Sequence, residues 1–262
     1  MNRSLNTAAS GMLVQQRNLD LIANNLANVN TTGFKASRAE FQDLMYQTLR
    51  AAGAEQGGGT VAPAAQQVGM GAKFVASTMN FADGPLLKSS GELDMAIVGR
   101  GFFAVQLPDG TLAYTRDGSF VRSVDGTIVS KDGLILDGNI QVPLEAGAVT
   151  VSANGTVSAQ VAGEAEPRVL GVVNLYVFPN PAGLERIGRN LFIQTAASGA
   201  PTPSEPGQNG AGRIEFGFLE GSNVEMVEEM VRLIIAQRAY EVNSKVIVAA
   251  DEMAQSTNNL RR

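Results

Sequence analysis

Apolar residues near the start of the chain recur with the period of a helix. Those at the a and d positions of almost four heptads are Leu5, Ala8, Met12, Leu19, Ile22, Leu26 and Val29. Gln15 is the one polar residue in this series. Such a stripe predicts an amphipathic helix that shares a coiled-coil seam with a partner helix. Gly33, which follows Asn30, suits the left-handed backbone position just past a helix end.

The end of the chain carries a second helical pattern. Its apolar positions are Val227, Val231, Ile234, Ile235, Ala239, Val242, Val246, Ala249, Met253 and Leu260. The stripe moves over by one position at Ile235, as expected because a straight helix drifts about 20° per heptad against a 3.5-residue repeat. The pattern predicts a helix from Val224 to Leu260, about 55 Å long at 1.5 Å per residue.

The middle of the chain alternates short apolar runs with turn signals. All ten Pro residues and all but two of the 29 Gly residues lie between Ala51 and Gly221. Six Asp-Gly dipeptides separate the apolar runs, and Asp-Gly in such a setting is a strong β-hairpin signal. The sequence therefore predicts an α+β fold, in which long N- and C-terminal helices form an antiparallel coiled-coil pair and flank a mostly-β central domain.

These patterns divide the chain into four consecutive parts. We expect an N-terminal helix over 1–35, a linker or arm with a Gly-rich insert over 36–68, a β-rich domain over 69–221 and a C-terminal helix over 222–262. The stretch 36–50 is ambiguous: its apolar residues have helical spacing, and an extended arm is the alternative.

Composition limits the chemistry that the chain can perform. It contains no histidine and no cysteine, which excludes Ser-His-Asp catalysis, thiol nucleophiles, disulfides and His or Cys metal sites. Its 20 basic and 25 acidic residues give a net charge of −5, without the basic block that is typical of nucleic-acid binding. We therefore expect no catalytic site, no cofactor, no metal and no nucleic-acid partner.

Some motifs have an alternative interpretation. The Asp-Gly series could belong to calcium loops, but the known loop patterns need more oxygen ligands at tighter spacing. Carboxylate pairs such as Glu92 with Asp94, or Glu164 with Glu166, could flank a glycosidic bond. A secreted glycan-binding or glycan-cleaving β domain with oligomerising helices therefore stays open as a second class of function.

The first predicted helix has a nearly uncharged surface. Between Ser4 and Phe34 only Arg17 and Asp20 are charged, and thirteen residues are Ser, Thr, Asn or Gln. A solvated helix face normally carries Lys and Glu, whereas amides and hydroxyls can be satisfied by a neighbouring protein. This favours dense packing among many copies of the chain, although a two-helix coiled coil with a solvated polar face is the alternative. A contact that repeats without closing makes a helical filament.

The sequence shows no targeting segment. Its first residues contain no apolar run long enough for a secretory signal, and no stretch approaches the roughly 20 apolar residues of a membrane helix. This predicts a soluble cytoplasmic protein, unless the chain leaves the cell by a route that needs no such signal.

Several segments resemble the flagellar rod and hook axial protein family. LIANNLANVNTTGFK (21–35) resembles its N-terminal signature, and EEMVRLIIAQRAYEVNSKVI (228–247) its C-terminal signature. The run GELDMAIVGRGFFAVQLPDGTLAYTRDGSF (91–120) is similar to the shared β-domain core, as is GQNGAGRIEFGFLEGSNV (207–224). The segment 46–63 resembles an insert that the family associates with a straight rod. The resemblance implies a structural subunit of a helical, tubular drive shaft.

The resemblance also implies partners and a location. The expected partners are further copies of the chain, proximal rod proteins, the hook protein, the L- and P-ring proteins, the flagellar type III export apparatus and the rod cap. The expected location is the basal-body rod that spans the periplasm, reached without a Sec signal peptide. Within the family, a proximal rod homologue and a short hook protein remain alternative assignments for this chain.

We expect the assembly interface to consist of the two helical stripes and the asparagine-rich end of the first helix. Its residues are Leu5, Met12, Leu19, Ile22, Asn24, Asn25, Leu26, Asn28, Val29, Asn30, Gly33, Phe34, Val231, Ile234, Ile235, Val242, Val246 and Met253. The apolar residues of the first stripe are expected to pack against those of the second. The asparagines are expected to hydrogen-bond within and between subunits.

Overall fold

The chain forms two compact units, each built from non-consecutive segments. A computed structural model describes residues 2–53, 63–138, 140–161 and 166–259. The unit that we call the helix unit comprises Met1–Ala27, Ser37–Thr78 and Glu225–Arg262, and the β unit comprises Asn28–Ala36 and Met79–Val224. This is a different kind of division from the four consecutive parts predicted from the sequence.

Two long helices and four strands make up the helix unit. Their bounds are α1 (Asn2–Ala27), β1 (Ser37–Asp43), β2 (Tyr46–Arg50), β3 (Gln66–Gly69), β4 (Ala72–Met79) and α2 (Met226–Asn259). Strand β1 pairs with β4, and β2 pairs antiparallel with β3. The stretch 36–50 is therefore extended, and its helical interpretation is wrong. Most of the Gly-rich insert, residues 54–62, lies outside the described residues, as does Leu260.

The described part of the β unit contains sixteen strands. They are β5 (Leu86–Lys88), β6 (Met95–Val98), β7 (Phe103–Gln106), β8 (Leu112–Thr115), β9 (Phe120–Arg122), β10 (Ile128–Ser130), β11 (Ile135–Leu136), β12 (Ala146–Val151), β13 (Thr156–Val161), β14 (Arg168–Val172), β15 (Leu175–Val177), β16 (Glu185–Gly188), β17 (Leu191–Ile193), β18 (Thr202–Ser204), β19 (Arg213–Phe216) and β20 (Phe218–Glu220). The largest sheet has the order β16-β17-β8-β7-β11-β10-β9, and β12-β13-β14 form a second sheet.

The core of the β unit is centred on β7, which is buried on both faces. Side chains alternate along a strand, so Phe103 and Val105 enter the larger apolar cluster, while Phe102 and Ala104 enter an aromatic cluster on the other side. Tyr114 of β8 belongs to that aromatic cluster. Burial on both faces explains why this segment of the sequence is an unbroken apolar run rather than an alternating one.

Three of the six Asp-Gly dipeptides close hairpins. The turns at Gly110, Gly126 and Gly133 join β7 to β8, β9 to β10 and β10 to β11, all antiparallel pairs. The dipeptide at 117–118 has a different role, because a Cβ on Gly118 would lie 1.5 Å from the Met95 carbonyl oxygen. That glycine is required by the close approach of two backbone segments, and the hairpin prediction is wrong there.

The predicted fold class is confirmed. Helices stand at both ends of the chain and the segment between them is mostly strand. None of the helices in the described ranges is long and apolar enough to cross a membrane.

Candidate assembly site

The two helices pack antiparallel inside the helix unit. A Cβ on Gly11 of α1 would lie 3.0 Å from Nδ2 of Asn243 in α2. Farther along α1, Ile22 lines the same cavity as Glu229 of α2. A later residue of α1 thus faces an earlier residue of α2, as the predicted coiled-coil pair requires. The absence of a side chain on Gly11 leaves room for the side chain of Asn243.

The inward face of α1 includes the stripe predicted from its sequence. Ala8 and Ile22 are buried, at 5% and 4% exposure, and Val14 is buried beside them. The other predicted residues of this stripe are partly exposed, namely Leu5, Met12, Leu19, Leu26 and, beyond the helix end, Val29. The heptad pattern therefore locates the packed face of this helix.

On α2 the predicted stripe is largely exposed. Its exposed members are Val231, Ile234, Ile235, Val242, Val246 and Met253, whose exposures lie between 42% and 63%. Each of them thus keeps 42% or more of its surface exposed within one chain, and the packing of these residues against the first stripe stays a prediction. Whether they form contacts between subunits stays a prediction.

The buried face of α2 consists of small and polar residues. Glu229, Ala236 and Ala250 are buried, and Asn243 is partly buried. These four positions are spaced by seven residues, so a heptad signal was present in the sequence. The larger apolar residues of α2 give a stronger pattern, which obscures this signal. Because these residues form the buried face of α2, its large apolar residues stay at the surface.

The predicted asparagines have different environments. Asn25 is 1% exposed: its Nδ2 donates to the Ser37 carbonyl at 2.8 Å, and its Oδ1 accepts from the Ser37 N–H at 2.9 Å. This reciprocal pair ties α1 to the start of β1. Asn28 Oδ1 accepts from Thr31 Oγ1, whereas Asn24 and Asn30 lie at the surface.

Gly33 holds the segment after α1 inside the β unit. Its φ of +69° is left-handed, as predicted, although α1 ends six residues earlier. Its N–H donates to the Glu220 carbonyl at 2.8 Å. A Cβ here would lie 2.5 Å from the Asp117 backbone nitrogen. The neighbouring Phe34 is also buried, with the Arg186 guanidinium 5.3 Å from its ring centroid. Position 33 therefore requires glycine for two reasons: its backbone is left-handed, and a side chain there would clash with the Asp117 backbone.

A buried ion cluster follows directly in the sequence. Lys35 Nζ donates to Glu220 Oε1 at 2.5 Å and to the Ala82 carbonyl at 2.8 Å. Both charged side chains are fully buried, and Arg116 lies 3.4 Å from Glu220 Oε2. Burial lowers the pKa of Lys35, while the charge of Glu220 opposes that shift. No local pattern indicates this cluster, because its members are far apart along the chain.

A second contact completes this junction. Asn223 Oδ1 accepts from the Ala36 N–H at 2.8 Å, and Asn223 Nδ2 donates to the Asn80 carbonyl at 2.8 Å. The segments 33–36 and 220–223 are therefore joined side by side within the β unit. In sequence, the first segment follows α1 and the second precedes α2.

Asp94, from the first of the carboxylate pairs considered above, has a structural role. Asp94 is buried and accepts a hydrogen bond from Ser89 Oγ, as a turn residue does. Glu164 lies outside the described residues. Within the described ranges, no cluster of three or more acidic side chains is placed to hold a metal ion.

An α+β chain with paired terminal helices, a large exposed apolar stripe and a well-packed β unit has the architecture of a structural subunit. Three family models match it: the flagella basal body rod protein model over residues 5–35, the flagellar hook protein FlgE/F/G D1 domain over 96–159, and the flagellar basal body rod FlgEFG protein C-terminal model over 216–260.

Curated relatives match over the whole chain. Flagellar basal-body rod protein FlgG of Borreliella burgdorferi is 48% identical, and the match covers 100% of both chains. The protein of the same name from Caulobacter vibrioides is 45% identical over 99% of both, and that from Bacillus subtilis is 38% identical over 100% of both. The chain belongs to the family of flagellar basal-body rod proteins. This family is structural, so the glycan-cleaving alternative is wrong.

Proposed function

We propose that the chain is the subunit of the distal rod, which polymerises into a helical tubular drive shaft and transmits torque from the motor to the hook. Full-length similarity to the rod proteins named FlgG supports this position in the rod. The observation that carries polymerisation is the exposed apolar stripe of α2. A helix packed on one side and apolar on the other requires a further partner to remove that surface from water.

The proposed interface joins this stripe to the neutral outer surface of α1. The apolar members on α2 are the residues from Val231 to Met253 identified above, at 42–63% exposure. Because about half of each side chain is already buried, covering the remainder by a neighbouring copy contributes about 1 kcal/mol per residue. Because α1 has almost no charge on its surface, it can be enclosed by copies without burying unpaired ions.

The proposal extends to the surroundings of the rod. Proximal rod proteins below, hook protein above, the L- and P-ring proteins outside and the rod cap at the growing end are the proposed partners. The subunit is proposed to reach the periplasm through the flagellar type III export apparatus, without a Sec signal peptide. A chain without cysteine suits passage in an unfolded state into an oxidising space, where stray disulfides form.

Electron microscopy of basal bodies from a strain that lacks the chain tests the position. A truncated rod without a hook is expected for a distal rod subunit. A full-length rod without a hook would assign the chain to the hook, and unchanged basal bodies would reject the axial role.

A proximal position is the second candidate, because flagellar basal-body rod protein FlgF of Caulobacter vibrioides is 36% identical over 98% of this chain. In that case the rod would be missing almost entirely.

Single substitutions test the interface. We expect Leu26→Asp and Val231→Asp to abolish rod assembly while the β unit stays folded. Val231 is already 50% exposed, so its aspartate variant leaves the pairing of α1 with α2 intact. Val124→Asp is the matched control, because Val124 is 88% exposed on the β unit. Normal rods from the Leu26 and Val231 variants would contradict the proposed interface.

A further inference from the structure

The chain contains two Asn-Gly dipeptides, at 154–155 and 209–210. Asparagine is among the thermally labile residues, and a following glycine leaves the next backbone nitrogen without a side chain to shield it. Both dipeptides lie in turns of the β unit, and both asparagines are exposed. The two sites are alike in these respects, but the structure gives their glycines different surroundings.

Gly155 is held by hydrogen bonds on both sides. Its N–H donates to the Ser152 carbonyl at 2.8 Å, and its carbonyl accepts from the Val173 N–H at 2.8 Å. The residue is buried, and a Cβ added there would lie 2.5 Å from the Val173 carbonyl oxygen. Asn154 Oδ1 in turn accepts from the Thr156 N–H at 3.3 Å. The amide side chain and the backbone nitrogen next to it are therefore both engaged.

Gly210 lacks these restraints. It is exposed, its N–H donates no hydrogen bond to any of the described residues, and a Cβ added there would meet nothing within 4 Å. Asn209 has a φ of +50°, a left-handed conformation that is uncommon for a residue with a side chain. One hydrogen bond spans the turn, from the Ala211 N–H to the Gln208 carbonyl at 2.8 Å. The peptide between Asn209 and Gly210 can thus reorient at the cost of a single hydrogen bond.

We propose that Asn209 is a site of spontaneous deamidation in the folded chain, and that Asn154 is protected from the same reaction by its surroundings. The Gly210 nitrogen gives its proton to hydroxide and attacks Cγ of Asn209. An N–Cγ bond forms, the Cγ–Nδ2 bond breaks, and ammonia leaves with a proton taken from water. Water then opens the five-membered succinimide at either carbonyl, which yields aspartate or isoaspartate. The attack is intramolecular, so it depends on whether the two atoms can reach each other.

The modification changes the tip of a loop and spares its base. The Gly207 N–H donates to the Gly212 carbonyl at 2.8 Å, and the Gly212 N–H donates to the Arg100 carbonyl at 2.6 Å. These bonds lie outside the reacting peptide. The product adds one negative charge near Glu205, whose Oε2 accepts from Gln208 Nε2 at 2.7 Å. We therefore expect deamidated chains to be more acidic and still folded.

Peptide mapping of the aged full-length chain tests the difference between the two sites. The folded chain is incubated at mildly alkaline pH, and mass spectrometry follows deamidation in the tryptic peptides 190–213 and 132–168, with fragmentation to assign each mass change to one asparagine. We expect Asn209 to react about tenfold or more faster than Asn154, because the bonds of Gly155 must break before its nitrogen can attack. Similar rates, or a faster reaction at Asn154, would overturn the proposal.

The same chain unfolded in urea is the matched control. Without the fold, the reaction at Asn154 should accelerate until both sites react at similar rates. A large difference that persists in urea would assign the effect to the neighbouring sequence and would overturn the proposal. On isoelectric focusing of the folded chain, the Asn209→Gln variant should no longer develop the acidic form, and an acidic form at the wild-type rate would equally overturn it. The free subunit suffices for these measurements, so their outcome is independent of rod assembly.

Discussion

Lys35 Nζ lies 2.5 Å from Glu220 Oε1, and the two fully buried side chains are separated by 185 residues of sequence. Through this pair the segment that follows α1 is bound to the segment that precedes α2. Glu220 also accepts from the Gly84 N–H at 3.0 Å, and its backbone carbonyl accepts from Gly33. One residue therefore fixes three separate parts of the β unit.

Removing one member of the pair is expected to be costly. Lys35→Met leaves the Glu220 carboxylate buried with a weaker set of partners, so we expect the free energy of unfolding of the β unit to fall by about 3–5 kcal/mol. The measurement is urea unfolding of the free subunit, followed by far-UV circular dichroism. In the double variant with Glu220→Gln, the loss should be smaller than the sum of the single losses, because no unpaired carboxylate remains. Additive losses would contradict this coupling.

Gly33→Ala tests whether the junction needs glycine for space as well as conformation. Gly133→Ala is the matched control, since Gly133 has a φ of +79° but a Cβ added there would meet nothing within 4 Å. The control should lose about 1 kcal/mol from the left-handed conformation alone. At Gly33 the Asp117 backbone must also move, so we expect about 3 kcal/mol or more. Equal losses in urea unfolding would show that no clash occurs.

Tyr176 should make the β unit sensitive to alkaline pH. Burial raises the pKa of its hydroxyl above the ordinary value of 10.0, and the hydrogen bond to Asp137 Oδ2 at 2.5 Å adds to the shift. The folded chain thus keeps this proton to higher pH than the unfolded chain does. Its stabilisation is complete below about pH 10 and is lost above it, by up to about 1.4 kcal/mol per pH unit.

Urea unfolding at about pH 9, 10 and 11 measures this slope. The Tyr176→Phe variant should show a smaller decrease in unfolding free energy than the wild type, because it has no proton to lose at this position. Asp137→Asn should give an intermediate slope, since only the hydrogen bond and the negative charge are removed. Identical slopes in all three proteins would refute the role of Tyr176.

The terminal helices are expected to be largely disordered in the free subunit. The outer face of α2 exposes large apolar residues, and its inner face buries mainly small ones. Little apolar area is therefore removed from water until copies assemble. Hydrogen exchange should show fast amide exchange in α1 and α2 of dilute monomer, slow exchange in β7 and β8, and protection of all four elements in rods. Full protection of residues 5–29 in dilute monomer is the contrary result.

Local sequence patterns were sufficient to locate both helices and several hairpins and to recognise the family. Periodic apolar residues located both helices, Asp-Gly turns located three of the hairpins, and the terminal signatures identified the rod and hook family. These features depend on local spacing, which a sequence displays directly. The absence of His and Cys was equally informative, because it removed most enzymatic chemistry without reference to any fold.

The face of α2 that meets α1, in contrast, could be identified only from tertiary contacts. Two seven-residue patterns coexist on this helix, one of large apolar residues and one that runs through Glu229, Ala236, Asn243 and Ala250. The periodicity of the sequence reveals both patterns but does not show which of them faces α1. The choice depends on tertiary contacts such as that of Asn243 with Gly11, and the pairing of Lys35 with Glu220 likewise depends on packing. Contacts between distant segments leave no local pattern, because they are set by packing rather than by spacing along the chain.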